Sequence, residues 1–553
     1  MKKLLAFIIA LSLLACTAAC GMLPYGILDD IENTNENSGS FEDNGVWRAD
    51  ADYSEMQYEH YELAQFSQYT APIYELASSG GSLEEFNDAN FSLIDELYYI
   101  HTLGELISLK YSTNPSDSYA AQESLYATEL YYNASNEYWS AMNALATSEN
   151  ADLLSYYYYD WQVDWFQQYT ETDSADGWEL YEREAQLVQN YYSLMSESEV
   201  DYDAAVEIFA KLVSIRQDIA KSYGYGSYAD YTYEYTYSKN YAPEDAQPLW
   251  RSTKEYFVPL LQAHSQSIYL ASDELWQSNR IDCSENTILE ALGSTTNQLS
   301  PALYDAYLYM TEHCLYTISY DEVKVDTGYT TYLYYYNEPF LFNKPSNTYY
   351  DYVDLFHEFG HFANMYACPS NLIFGVADND LSELQSQGME VMLTCFCNDV
   401  FGSQDGNTVR NTILLNLIYS IVDGAMYDEF LQLVYAEDDI TAERVKEIYA
   451  QVYESYGYAP YDGYLTEWVD VVHNFEYPFY YLSYSLAAVS ALEIFALAQD
   501  DIDAATQVYL QVAQMDCEAY YYSEALDEAG LRDPFASETC RIVAEAVSTA
   551  LAA

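Results

Sequence analysis

Basic side chains are scarce in this chain: 19 Lys and Arg stand against 88 Asp and Glu in 553 residues, a formal net charge of −69. That imbalance excludes nucleic acid and anionic lipid headgroups as partners, because both need cationic side chains to neutralise phosphate. The same field should draw in cationic peptides, more weakly as salt rises, although its plainest effect is solubility. Histidine is scarcer still, with seven residues. Cysteine offers little chemistry: the seven after Cys20 (Cys283, Cys314, Cys368, Cys395, Cys397, Cys517, Cys540) lack the paired spacing of a zinc ribbon. None sits in a glycine-rich nucleophile turn, and an odd number leaves at least one free thiol unless another chain pairs with it. Cys395 and Cys397 would point about 200° apart on a helix, so they should not bridge each other. No internal period marks a repeat protein. Beyond the N-terminus, no run reads as long and apolar enough to cross a membrane. The richest, 413–422, is interrupted by Asn416 and ends at Asp423, so it reads as core.

Against this scarcity, two histidines fall together in His357-Glu358-Phe359-Gly360-His361. In a chain so poor in histidine, this spacing arises by chance in about one such sequence per hundred. On a helix, positions i and i+4 share a face, so both imidazoles can reach one metal ion, and Glu358 beside them can take a proton from water. Tyr352, Val353, Leu355, Phe356 and Phe359 make the flanks apolar, which predicts a buried helix. Gly360 inside it costs about 1 kcal/mol relative to alanine, which points either to close approach by another group or to simple tolerance.

Two histidines and a water leave tetrahedral zinc one protein ligand short. Glu383 lies 22 residues beyond His361, after the loop signals Pro369, Gly375 and Asp378-Asn379-Asp380, which also offer N-caps for a second helix. Asp378 and Asp380 are alternative ligands, less firmly aimed because they sit in the loop. Glu390, two turns beyond Glu383, can accept a hydrogen bond from the outer N–H of a ligating histidine, or be a plain surface carboxylate. Further on, Trp468, His473 and Tyr477-Pro478-Phe479-Tyr480-Tyr481-Leu482-Ser483-Tyr484 form a cluster of donors able to steady a tetrahedral oxyanion. Pro478 fits the first turn of a helix there, and Tyr481 and Tyr484 share a face. With 64 tyrosines in the chain, a tyrosine cluster alone says little. His473 says more, being the only histidine after the motif.

Phe356-His357-Glu358-Phe359-Gly360-His361, Glu383-x-x-Ser386-Gln387 and Trp468…His473…Pro478-Phe479-Tyr480-x-x-x-Tyr484 together resemble the thimet oligopeptidase and oligoendopeptidase F family of zinc metallopeptidases. The resemblance is most specific over 351–390 and 468–488, and extends loosely to Ala529-Gly530…Asp533-Pro534-Phe535. It implies one zinc per chain, with His357, His361 and Glu383 as ligands and Glu358 as general base. It also implies that Tyr484, with Tyr477 and His473, holds the substrate carbonyl, and that Tyr481 lines the site. The chain departs from the family at Phe362-Ala363-Asn364, where another histidine is common, and at Gln385, where proline is common. The His473-to-Tyr477 spacing is closer to the bacterial branch. These departures bear on subsite preference rather than on the ligands or the base.

The expected fold is mainly α: two helical lobes flanking a deep channel that admits short peptides, with a small sheet beside the zinc helix. Apolar residues recur at three and four along 84–109, 204–219 and 486–498. Strand candidates are Val323-Lys324-Val325, 329–336 and Phe340-Leu341-Phe342, whose edge could pair with an extended peptide or serve packing alone. Residues 1–20 read as a lipoprotein-type signal: Lys2 and Lys3, an apolar run over 4–15, then Cys20 as the lipidated residue, with Cys16 the alternative. Residues 21–50 read as a polar tether, 51–200 as an N-terminal helical lobe and 201–553 as the catalytic domain. The expectation is a monomer, lipid-anchored at the outer face of a bacterial cytoplasmic membrane, that hydrolyses short peptides. Two rivals remain. A peptide-capturing lipoprotein without activity would predict a damaged catalytic set, whereas every member is present. A thermolysin-type enzyme expects Asp four residues after the Glu ligand, where Gln387 stands.

Overall fold

The computed structural model describes residues 48–49, 51–169, 175–325 and 327–552. The signal and nearly all of the tether, with Cys16 and Cys20, lie outside the described residues. The chain is mainly α, as expected, with one three-stranded sheet among the described residues.

Two hydrophobic cores organise the helices. The first is built from residues 61–166, where Leu83–Thr113 and Ser118–Ala146 pack through Leu93, Ile100, Tyr138 and Met142. Local chemistry sets their starts: Ser82 and Glu85 form a reciprocal capping box, and Asp117 caps the second helix. The second core gathers most of the remaining chain and already includes Val188 and Tyr191 of helix Ala175–Met195. That helix, placed before residue 200 on the N-terminal side, thus packs with the later helices. Tyrosine fills much of both interiors, as in Tyr138, Tyr233 and Tyr449, all nearly inaccessible.

The sheet has the order β1-β3-β2, with β1 Tyr316–Thr317 parallel to β3 Glu338–Asn343, and β2 Gly328–Leu333 antiparallel to it. The central strand β3 is buried along its whole length. Val323–Val325 is not a strand. Lys324 there turns its ammonium inward to Thr317 Oγ1 at 2.9 Å, and Val325 N–H is taken by the Ser112 carbonyl, so the segment forms a turn instead. The strand expected over 329–336 ends at Leu333 and turns through 334–337.

Behind the sheet, Tyr350–Ala367 carries the histidine motif, and Asn379–Tyr435 follows it, broken at Gly402 (φ 77°, ψ 157°). The two helices touch at Gly360, where an added Cβ would lie 2.6 Å from Ser386 Cα and 2.7 Å from the Gln385 carbonyl. Close approach by another element is therefore the reason for this glycine. Helix Tyr481–Asp500 lies against the far half of the long helix at Gly424. It is long and apolar enough to span a membrane, contrary to the reading of the sequence, but 72% of its most apolar window is buried in the second core. It also begins three residues after Pro478, which lies in the preceding turn. Phe479 holds a left-handed φ of 73° in that turn, a strain of roughly 1–3 kcal/mol of the kind found near active sites.

Candidate metal centre and active site

The motif helix starts from a firm anchor. Asp351 in its first turn accepts the backbone N–H groups of Ser346 and Thr348, at 2.6 and 3.1 Å. One and a half turns on, His357 and His361 present their rings to the same face, centroids 5.2 Å apart. The second helix is capped by Asp378, whose side chain accepts from Leu381 N–H at 2.9 Å, and so aims Glu383 at the two imidazoles. His357, His361 and Glu383 each offer a ligand atom within 4.8 Å of the other two. His357 Nε2 lies 3.7 Å from Glu383 Oε2. The alternative acids are engaged elsewhere. Asp378 caps the helix and accepts Tyr522 N–H, while Asp380 pairs with Lys239 at 2.5 Å.

Around these three, hydrogen bonds fix which atoms are free. His357 Nδ1 donates to Glu390 Oε1 at 2.7 Å, because an ionised carboxylate can only accept. This leaves Nε2 free to meet a metal ion, with Glu390 behind the ring as its hydrogen-bond partner. His361 Nδ1 meets Ser382 Oγ at 3.1 Å, so its Nε2 also faces the site. Glu383 spends one oxygen on the Tyr480 hydroxyl, 2.7 Å away, and the other reaches Ser386 Oγ at 3.3 Å. Glu358 is buried and its Oε2 accepts from Thr330 Oγ1 of β2 at 2.9 Å, so the sheet holds this carboxyl in place. Two nitrogens and one carboxylate at this spacing, each with an outer partner, fit a tetrahedral metal ion that keeps one position open.

The electrostatics of the protein groups follow from burial and mutual charge. Burial pushes Glu358 up to about 7, against the pull of His357 and Thr330. Burial would lower His357, but its hydrogen bond to Glu390 and the charges of Glu390, Glu383 and Glu358 win and hold it at about 10. His361 falls to about 3 through burial and the neighbouring His357. To hold a divalent cation, His357 would have to present its neutral ring, the opposite of the form these carboxylates favour. Burial and the Glu383 charge hold Tyr480 and Tyr484 far above the ordinary phenol range. Both remain donors at any working pH.

The aromatic residues read from the sequence gather in one place. His473 is the hub, its ring 4.9 Å from Tyr481, 5.7 Å from Tyr480, 5.9 Å from Tyr484 and 6.0 Å from Tyr477. Burial lowers it to about 4, so it is neutral. Tyr484 stands 5.3 Å from Tyr480 and feels the charges of both Glu383 and Glu358. Tyr477 turns toward Glu476 and Tyr192, and Tyr481 packs on Tyr427 at 5.4 Å. Reading the sequence overlooked Tyr480, Thr330 and Ser382. Tyr480 sits inside the quoted motif, yet nothing in the motif says that it touches a ligand, and Thr330 lies 28 residues before its partner. The departures have structural reasons. Gln385 and Asn364 are buried and both donate to the Met515 carbonyl, tying the motif helix and the helix of Glu383 to the segment around Met515.

No family model matches this chain, and no curated protein matches it by sequence. Its architecture is nevertheless found among solved structures. A structure assigned as an oligoendopeptidase F superposes with a TM-score of 0.73 at 20% identity, over 91% of this chain and 99% of that one. PZ peptidase A in complex with an inhibitor gives 0.72 at 19% identity, over 90% and 99%. A protein of Bacillus anthracis str. Ames, also assigned as an oligoendopeptidase F, gives 0.70 at 18% identity, over 91% and 98%. The chain has the fold of the oligoendopeptidase F-like peptidases.

Proposed function

We propose that the protein is a zinc-dependent oligoendopeptidase that hydrolyses internal bonds of short peptides. The observation that carries this reading is the meeting of His357, His361 and Glu383 within 4.8 Å of one another, with Glu358 buried beside them. Bound there, zinc would supply Lewis-acid activation of water and polarise the scissile carbonyl. Glu358, held by Thr330, takes the proton of the attacking water and delivers it to the leaving amine as the C–N bond breaks. Tyr484 donates its phenolic hydrogen to the developing oxyanion, with the neutral His473 packed behind it. Tyr480 holds Glu383 in its rotamer. Strand β2 lies at a sheet edge and carries Thr330, so an extended peptide added to that edge would run past the base. The Lys2-Lys3, apolar run and Cys20 pattern supports placing the enzyme at the outer cell surface on a lipid anchor.

The test is incubation of the purified protein with a mixed peptide library, with and without a chelator, repeated with Glu358→Gln. The reading expects chelator-sensitive internal cleavage that falls by at least 100-fold in Glu358→Gln. Cleavage insensitive to chelator, or full activity in Glu358→Gln, refutes it. Binding without turnover would favour a peptide-capturing protein.

A further inference from the structure

Lys239 lies at the end of an unusual segment. Residues Thr232–Thr236 form a π-helical turn, and Ser238 follows at a positive φ of 49°. Such turns concentrate at functional positions because they re-aim the side chains after them. Here they turn Tyr233, Tyr237, Lys239 and Tyr241 into the interior. The Lys239 side chain is 2% exposed, and its ammonium is ringed by Tyr233, Tyr237 and Tyr241 at 5.3–5.9 Å.

The ammonium makes two bonds, to different helices. It donates to Asp380 Oδ1 at 2.5 Å, and Tyr241 Oη donates to the other Asp380 oxygen at 2.6 Å. Asp380 stands in the first turn of the helix that carries Glu383, three residues before it. The second bond runs to Ser483 Oγ at 3.2 Å. Ser483 stands in the first turn of the helix that carries Tyr484, and its N–H bonds the Tyr480 carbonyl. From the same segment, Tyr237 Oη donates to the Pro478 carbonyl at 3.1 Å, inside the turn strained at Phe479. One buried cation therefore ties the start of the ligand-bearing helix to the start of the tyrosine-bearing helix, without touching a catalytic group.

We propose that Lys239 is a positioning residue: it sets Tyr480 and Tyr484 in register with Glu383. This rests on the reading of the site as a peptidase. A misplacement of about 1 Å in such a group costs on the order of 100-fold in turnover, so the effect should appear in kcat more than in KM or in metal content.

Two variants test it. Ser483→Ala removes only the link to the tyrosine helix and leaves the Lys239–Asp380 pair whole, whereas Lys239→Met removes both links at greater risk to folding. Ser483→Ala is expected to lower kcat about tenfold, with KM within about twofold. Zinc content should stay unchanged. In a Tyr484→Phe background, the same change should cost clearly less than in the wild type, because part of its effect runs through that tyrosine. An undiminished loss in Tyr484→Phe, or an unchanged kcat with only a lower melting temperature, overturns the proposal. Absence of turnover in the wild type would mean that the peptidase reading had failed. In that event a crystal structure of Ser483→Ala decides: loss of the 2.7 Å Tyr480–Glu383 bond upholds the brace, and its retention overturns it.

Discussion

Gly360→Ala is a one-carbon change that should empty the metal site. The new Cβ would lie 2.6 Å from Ser386 Cα and 2.7 Å from the Gln385 carbonyl, both main-chain atoms that cannot rotate away. Carbon atoms rest at about 3.5–4.0 Å, so the two helices must part by roughly 1 Å. Metal–ligand distances tolerate only about 0.2 Å, and His357 and His361 lie on one of these helices while Glu383 lies on the other. Overpacking costs about 1–3 kcal/mol, and alanine's better helix propensity returns about 1 kcal/mol. Stability should therefore fall by no more than about 2 kcal/mol, while zinc affinity falls by about 100-fold or more. The assay is competition for zinc against a chromophoric chelator, with a thermal melt in excess chelator as the control for folding. Gly424→Ala provides the comparison. Its Cβ would lie 2.6 Å from Ser485 Cβ and against the Tyr481 carbonyl, so it displaces the tyrosine helix. It should keep its zinc and lose turnover. Wild-type zinc affinity in a folded Gly360→Ala would refute the reasoning.

Glu390→Gln removes the charge behind His357 and should weaken zinc binding by about 10–100-fold, measured in the same competition. Thermal stability should fall as pH rises from about 4.5 to 8. Burial pushes Asp423, Asp428 and Glu476 up to about 7, and Glu518 up to about 8. The unfolded chain ionises these acids from about pH 4.5, so unfolding releases protons and stability is lost as pH rises toward 8. Two histidines work the other way: burial depresses His101 and His473 to about 4, which offsets part of that loss between about pH 4 and 6.5. A melting temperature that climbs steadily to pH 8.5 would contradict this assignment.

What could be read from the sequence was whatever a single helix or cap encodes. His357 and His361 meet because four residues return to one face, and Glu390 finds His357 because it keeps the phase of Glu383. Asp378 was legible as an N-cap for the same local reason. Partnerships set by packing were not. Thr330 reaches Glu358 only because β2 pairs with β3 beside the motif helix, and Lys239 reaches Asp380 across 141 residues. Pro478 misled because proline suits a helix start, whereas here the chain turns through the strained Phe479 before the helix begins. Tyr481–Asp500 was passed over as a span of membrane length, and only the surrounding core shows what covers it.

The most direct test is an anomalous difference map at the zinc edge, from crystals grown with one equivalent of zinc. A single peak is expected within about 2.0–2.2 Å of His357 Nε2, His361 Nε2 and a Glu383 carboxylate oxygen. No peak there, or a peak that leaves any one of the three out of reach, would contradict this metal site.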